Sequence, residues 1–290
     1  MTYKILFCIT YLMSLLPMRV HYFFSDLMYP LVYYIIRYRR KIVRKNLVNS
    51  FPEKDLTEIK KTERKFYRFF CDYFVENIKA LTMKKEDMMK RMKFENMELI
   101  DNLFQNKQFI FLYLGHFCNW ELIASLKWWF PKQYNTAQLY TKLHNKHIDR
   151  LFFKIRSRYG GENINKKEAL RRIIAIQKTG QKTLIGFISD QGPKRESIHL
   201  WVDFLNQETP VFTGTERIAK KVDAGVTYGE VKRVKRGYYT CTFKLITNDP
   251  KSFGEHEMTR LYMKMLEADI RKDPARWLWT HNRWKRKHEN

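Results

Sequence analysis

Acidic residues are scarce in this chain. Against 55 Lys and Arg stand only 30 Asp and Glu, a formal net charge of +25 over 290 residues, which predicts attraction to something polyanionic: nucleic acid, anionic lipid or an acidic protein. Cysteine is equally sparse. Cys8, Cys71, Cys118 and Cys241 lie far apart with no CxxC pair, which argues against a zinc site or a disulfide framework and for a reducing compartment. No zinc-finger spacing, RNP-like aromatic strand or compact basic helix beyond Arg37 to Lys45 supports nucleic-acid binding. Internal repeats and low-complexity linkers are also missing. So is any clean apolar run of about 20 residues. Residues Tyr3 to Leu16 are apolar up to Pro17, and Val20 to Ile36 are interrupted by His21, Ser25, Asp26 and Pro30.

A secretory signal fits that N-terminus poorly, because one lysine makes a weak leading charge and no small-x-small cleavage site follows. Retention is expected instead. "RYRRKIVRK" puts six basic residues between Arg37 and Lys45, where a membrane-associated segment meets an anionic cytoplasmic leaflet, and the positive-inside rule places the rest in the cytosol. The competing reading is a buried amphipathic helix pair with a solvated basic face. On this basis residues 1–45 form a membrane anchor with a basic juxtamembrane segment, and 46–290 a globular domain whose 44% hydrophobic content supplies a core.

Downstream, helical spacing of Phe66, Phe69, Phe70, Tyr73 and Phe74 predicts a long helix from Pro52-Glu53 to about Leu81. Strands are then expected at Phe109–Leu114, near Ala137–Thr141 and at Thr183–Ser189. Helices are expected from Asn119, over Ile148–Arg158 and over Lys167–Lys178. Alternation of this kind predicts an α/β fold with a mostly parallel central sheet flanked by helices. Thr213 with Glu216 reads as a capping box, Val226–Val234 and Tyr238–Thr247 as a hairpin, and Glu255–Lys272 as a last helix.

In "FIFLYLGHFCNWELIAS" a buried strand ends at Leu114, Gly115 permits a turn, and Asn119 caps the next helix. His116 then stands at the carboxyl end of a strand, where sites gather in open α/β sheets. Glu121, in the first helical turn, is placed to reach back and orient the imidazole as a general base. Random placement yields about 0.8 such His-x4-acid matches, and the chain holds three: His21 with Asp26, His144 with Asp149, and His116 with Glu121. Only the last has the strand, glycine, loop, helix context. Cys118 is a rival covalent nucleophile two residues away; the alternative is a small buried thiol.

"GHFCNWE" resembles the His-x4-Asp/Glu signature of the lipid A biosynthesis acyltransferases, the lauroyl and myristoyl transferase family of Gram-negative bacteria. "LPMRVHYFFSDLMYPLVYYIIRYRRKIVRKNLVNSFPE", "KIRSRYGG", "FISDQGPK" and "RWLWTHNRWKRK" are similar to its other blocks, in order along nearly the whole chain. The resemblance implies transfer of a fatty acyl chain from acyl carrier protein, as donor co-substrate, to a hydroxyl of a lipid A precursor. It places the reaction at the cytoplasmic face of the bacterial inner membrane, without metal or further cofactor. His116 and Glu121 become base and partner, with Arg156, Arg158 and Asp190 as supporting residues. The arginine forks suit the phosphates of such an acceptor, and acidic carrier protein is expected on basic patches such as Arg37 to Lys45 or Arg283 to Lys287. The same base would serve a lysophospholipid or amino-acid lipid. A non-enzymatic nucleic-acid or anionic-membrane binder is the remaining alternative.

Overall fold

The computed structural model describes residues 3–286. Along the chain, α1 (Tyr3–Leu15), α2 (Met18–Pro30), α3 (Arg40–Ser50), α4 (Leu56–Ala80) and α5 (Lys85–Arg91) precede β1 (Met92–Glu95), α6 (Met97–Asn106) and β2 (Phe109–Leu114). There follow β3 (Asn135–Tyr140), α7 (Lys146–Ser157), β4 (Glu162–Asn165), α8 (Ala169–Gln177) and β5 (Thr183–Ile188). The remainder comprises β6 (Trp201–Phe204), β7 (Gln207–Pro210), α9 (Gly214–Val222), β8 (Gly225–Lys235), β9 (Tyr238–Thr247) and α10 (Glu257–Lys272).

Seven strands form one sheet in the order β1-β9-β8-β2-β5-β3-β4, parallel throughout except for the β8–β9 hairpin, while β6 and β7 make a separate antiparallel pair. The expected α/β class with a mostly parallel, helix-flanked sheet is the observed one. Every residue of β2 is buried because it lies between β5 and β8 with both faces covered, which is why its sequence is apolar without alternation. The carboxyl ends of β2 and β5 lie side by side, Leu114 opposite Ile188, and the candidate site grows from these two ends.

The start of α9 differs from expectation. Thr213 makes no capping bond; Glu216 instead accepts from the backbone N and Oγ1 of Thr259 at 2.9 and 2.7 Å, so a tertiary contact to α10 replaces the local box. At Asp55, by contrast, the carboxylate accepts from Thr57 N and Glu58 N at 2.7 and 2.8 Å and starts α4 as a conventional cap.

The N-terminal helices are docked on one side and bare on the other. Among the described residues no single helix is long and apolar enough to cross a membrane, and α1 with Met18–Ile35 reaches that length and apolarity only as a pair bent by 117°. Ile5, Leu12, Leu15, Phe23, Leu27 and Ile35 are exposed, while α2 packs along α4. The expected boundary between 45 and 46 falls inside α3, whose Val43, Asn46 and Leu47 are buried. Arg44 grips the fully buried Glu63 with two nitrogens, Nη2 at 2.9 Å from Oε1 and Nε on Oε2. Arg40 Nε also lies 3.6 Å from Glu63 Oε1, so removing Arg44 leaves the buried carboxylate with only this longer ion pair. Arg44→Ala is therefore expected to cost about 2–3 kcal/mol, the guanidinium being partly exposed, as a lower urea midpoint in detergent; an unchanged midpoint would contradict it.

Candidate active site

Gly115 has a reason other than turn flexibility. Its φ is not positive, and a Cβ there would lie 2.5 Å from Cδ1 of Leu266, a fully buried side chain of α10, so close approach of helix to strand end excludes a larger residue. Cys118 takes the left-handed conformation, with φ 53°. The loop between is pinned by the C-terminal segment: Leu278 N donates to His116 O at 3.1 Å, Cys118 N to Arg276 O at 2.9 Å, and Phe117 bridges Trp277. Asn119 does not cap a helix; its buried amide donates to Glu76 Oε2 at 2.8 Å. The next segment, Trp120–Trp128, is a 3-10 helix.

The partner of His116 is not the expected one. Glu121 is engaged elsewhere, receiving Nε and Nη2 of Arg156 at 2.7 and 2.6 Å. The carboxylate that meets the imidazole is Asp190, just beyond β5, with Oδ1 2.5 Å from Nδ1. Its Oδ2 accepts from the backbone N of His116 at 2.9 Å and from Trp277 Nε1 at 2.7 Å. Burial of Asp190 acts to raise its pKa, but the charge and hydrogen bonds of His116 and Trp277 overcome it and hold the carboxyl at about 2. On the other side of the ring, Gln191 Nε2 lies 3.3 Å from His116 Nε2, and Trp120 meets the imidazole edge-on at 5.0 Å. Asp190 is 1% exposed and the His116 side chain 19%.

With Asp190 accepting at Nδ1, the neutral ring carries its proton there and leaves Nε2 as the acceptor. Gln191 Nε2 sits at the single lone pair of that nitrogen, so a hydroxyl reaches it by displacing the Gln191 amide. The arrangement is that of an oriented general base.

Arg156 and Arg158 part company. Arg156 faces Glu121, whose charge holds the guanidinium above its usual range against the opposing effect of burial. Arg158 donates to the backbone carbonyls of Ala80 and, at 2.8 Å, Met83, and so braces the end of α4. Beside the Glu121–Arg156 pair a cavity of about 70 Å³ is lined by Leu112, Leu114, Ile123, Leu126, Leu184 and Ile188 among others. Cys118 is fully buried with its sulfur 3.8 Å from Val231 O, and burial pushes the thiol above its ordinary range. No base adjoins it. Arg283, expected on an exposed basic patch, is 2% exposed; Lys287 lies outside the described residues. Among the described residues there is no group of three or more His, Cys, Asp or Glu that could hold a metal.

A family model for the bacterial lipid A biosynthesis acyltransferases matches residues 2–286. The chain belongs to this family. A search of curated proteins finds no match. For an acyltransferase of this family the match spans all five sequence blocks, and the structure gathers three of them, around His116, Asp190 and Trp277, on one carboxylate. Sequence reasoning missed Gln191, Trp277 and His281 as site residues. All three stand inside those blocks, which was the available signal.

His281 gives the site a measurable acid sensitivity. Burial, then the charges of Arg283 and His116, depress its pKa from 6.5 to about 4. Between those values the unfolded chain binds the extra proton and the folded one does not, so stability falls as pH drops from 6.5 toward 4. Asp190, depressed to about 2, contributes stability above its unfolded value near 3.8 and loses it only as pH falls through 2, so it is silent in that window. The ring stays partly exposed, so a loss of roughly 1–2 kcal/mol is expected. Urea titrations at pH 7 and 4.5 should show that His281→Gln has a smaller decline than the wild type; equal declines would refute the assignment.

Proposed function

We propose that this acyltransferase moves a fatty acyl group from an acyl carrier protein thioester to a hydroxyl of a lipid A precursor, with His116 as general base. The observation that carries the reading is the line Asp190, His116 Nδ1, His116 Nε2, Gln191. The acceptor hydroxyl displaces the Gln191 amide, and Nε2 takes the hydroxyl's proton as its oxygen attacks the thioester carbonyl. Asp190 stabilises the imidazolium so formed. Collapse of the tetrahedral intermediate breaks the carbon–sulfur bond, and Nε2 returns the proton to the departing thiolate. No acyl-enzyme is needed, in keeping with the buried Cys118 thiol.

The apolar cavity beside Glu121 and Arg156 is proposed to receive the acyl chain near its reacting end. At about 70 Å³ it is far smaller than the roughly 300–1,000 Å³ of a pocket that encloses a drug-sized ligand, so a long chain enters only as the lining side chains part. Glu121 positions Arg156 at this wall and does not act on the imidazole. This divides the effects of substitution. Asp190→Asn is expected to lower kcat by about 10³- to 10⁴-fold and His116→Ala by at least as much, with little further loss in the double variant because the two act as one unit. Cys118→Ala should keep most activity. A radiolabelled acyl-transfer assay against lipid A precursor, lysophospholipid and amino-acid lipid reads all of these. Near-normal turnover by folded His116→Ala would sink the mechanism, and transfer only to the simpler lipids would replace the acceptor.

The bare face of α1 and α2 is proposed to lie in the surface of the bacterial inner membrane, on its cytoplasmic side. Exposed apolar side chains on that face continue into exposed Arg37, Arg39, Lys41 and Lys45, the combination that binds anionic bilayers in the interfacial plane. Leu12→Glu with Leu27→Glu should reduce flotation with anionic vesicles at least about tenfold and leave the far-UV spectrum unchanged. Undiminished flotation would remove this assignment.

A further inference from the structure

Arg283 is a buried cation with no carboxylate in direct contact among the described residues. One nitrogen, Nη2, donates to Pro210 O at 2.6 Å, while Nε and Nη1 have no hydrogen-bond partner. Burial drives its pKa down to about 10, with Asp190 and Tyr262 opposing. Asp190 cannot serve as its hydrogen-bond partner cheaply, since both carboxylate oxygens are taken by His116 and Trp277. A guanidinium left this way costs several kcal/mol unless something else satisfies it.

A second guanidinium approaches the same place. At Gly192, two residues beyond Asp190, the position a Cβ would occupy lies 3.1 Å from Arg283 Nη1 and 3.5 Å from Arg286 Nη1. Arg286 otherwise donates to Pro193 O. Among the described residues neither arginine has a carboxylate within ion-pair distance. Like charges converging on one glycine face disfavour each other unless an anion is shared between them. Gly192 also adjoins Gln191, whose amide meets His116, so the converging point borders the candidate base.

We propose that Arg283, Arg286 and the side-chain-free face of Gly192 form a phosphate-binding site, which takes a phosphate group of a substrate next to His116 once the two guanidiniums part to admit it. Two guanidinium groups suit the oxygens of a phosphate, which can accept from both at once. The site takes over the task that Arg156 and Arg158 cannot perform while they are held by Glu121 and by backbone carbonyls. The phosphate source is the acceptor lipid or the prosthetic arm of the donor, and to that extent the assignment rests on the reaction proposed above.

Two measurements on the full chain in detergent separate the site from the reaction. In a phosphorus NMR titration with inorganic phosphate against chloride at matched ionic strength, the wild type should bind phosphate. Arg283→Gln, Arg286→Gln and Gly192→Ala should each weaken it about tenfold to a hundredfold. Failure of the wild type to bind phosphate in preference to chloride, or unchanged binding by the variants, overturns the site. If Arg283→Gln does not fold, the partly exposed Arg286 and Gly192 carry the comparison. In steady-state assays, Arg286→Gln should raise KM about tenfold or more for the phosphorylated acceptor and not for its dephosphorylated form; a rise confined to donor KM assigns the phosphate to the donor arm instead. No change in either KM also overturns the site. A wild type that transfers no acyl group refutes the reaction and leaves the titration to decide the site.

Discussion

The carboxylate of Asp190 receives three N–H groups from two separate parts of the chain: the backbone and ring of His116 and the indole of Trp277. Fully buried, it would be driven toward the protonated form without them. With them it stays ionised and fixes three things together: the distance between the ends of β2 and β5, the tautomer of the imidazole, and the docking of the C-terminal segment. That segment in turn holds the histidine loop by backbone pairing through Leu278 and Cys118. The carboxylate thus acts in the fold and in the proposed chemistry through the same hydrogen bonds. A buried polar network of this sort is stable only when every member is satisfied, which makes the tryptophan as necessary as the histidine.

The large positive charge sorts into different kinds of cation once each partner is known. Arg44 neutralises Glu63, Arg233 and Arg236 converge on Asp72, Arg156 is held by Glu121, and Arg158 satisfies carbonyls. These hold elements together, so their number says little about ligands. The informative cations are those that burial should have eliminated and a carboxylate does not explain. Arg283 is such a residue, and it is found by accounting for donors, not by counting charge.

Much of the sheet was readable because its central strands are apolar throughout: Phe109–Leu114 has the expected ends, and the β8–β9 hairpin turns at Gly237 as its sequence indicates. The four-residue strands β1, β4, β6 and β7 were not foreseen, being too short to show a period against their surroundings. The place of His116 just past a strand end was readable, but the carboxylate it meets was not. Spacing arguments see neighbours a few positions apart, and on a regular helix they favoured Glu121. The observed contact joins residues 116 and 190, which only the parallel pairing of β2 with β5 brings together. The turn itself was misread for a related reason: Gly115 is dictated by Leu266 of α10, and Asn119 by Glu76 of α4. Both are tertiary demands invisible in the local string.

Glu76 links the histidine loop to the N-terminal helices. It lies buried on α4, where it accepts from Asn119, from Tyr239 at 2.8 Å and from Tyr22 of α2 at 3.2 Å. One turn earlier, Asp72 accepts from Ser25 of α2 at 2.7 Å. The helix that presents part of the bare apolar face is therefore hydrogen-bonded, through a single carboxylate, to a residue three positions past His116. Hydrogen bonds in a dry interior are directional and costly to break, so α2 cannot tilt freely relative to the histidine loop. If that face rests on a bilayer, the height and inclination of the histidine above the surface are set by Glu76 and Asp72, and a lipid hydroxyl would meet the base in a restricted range of orientations. The N-terminal helices then serve the reaction by geometry, which a flexible tether of the same hydrophobicity could not supply.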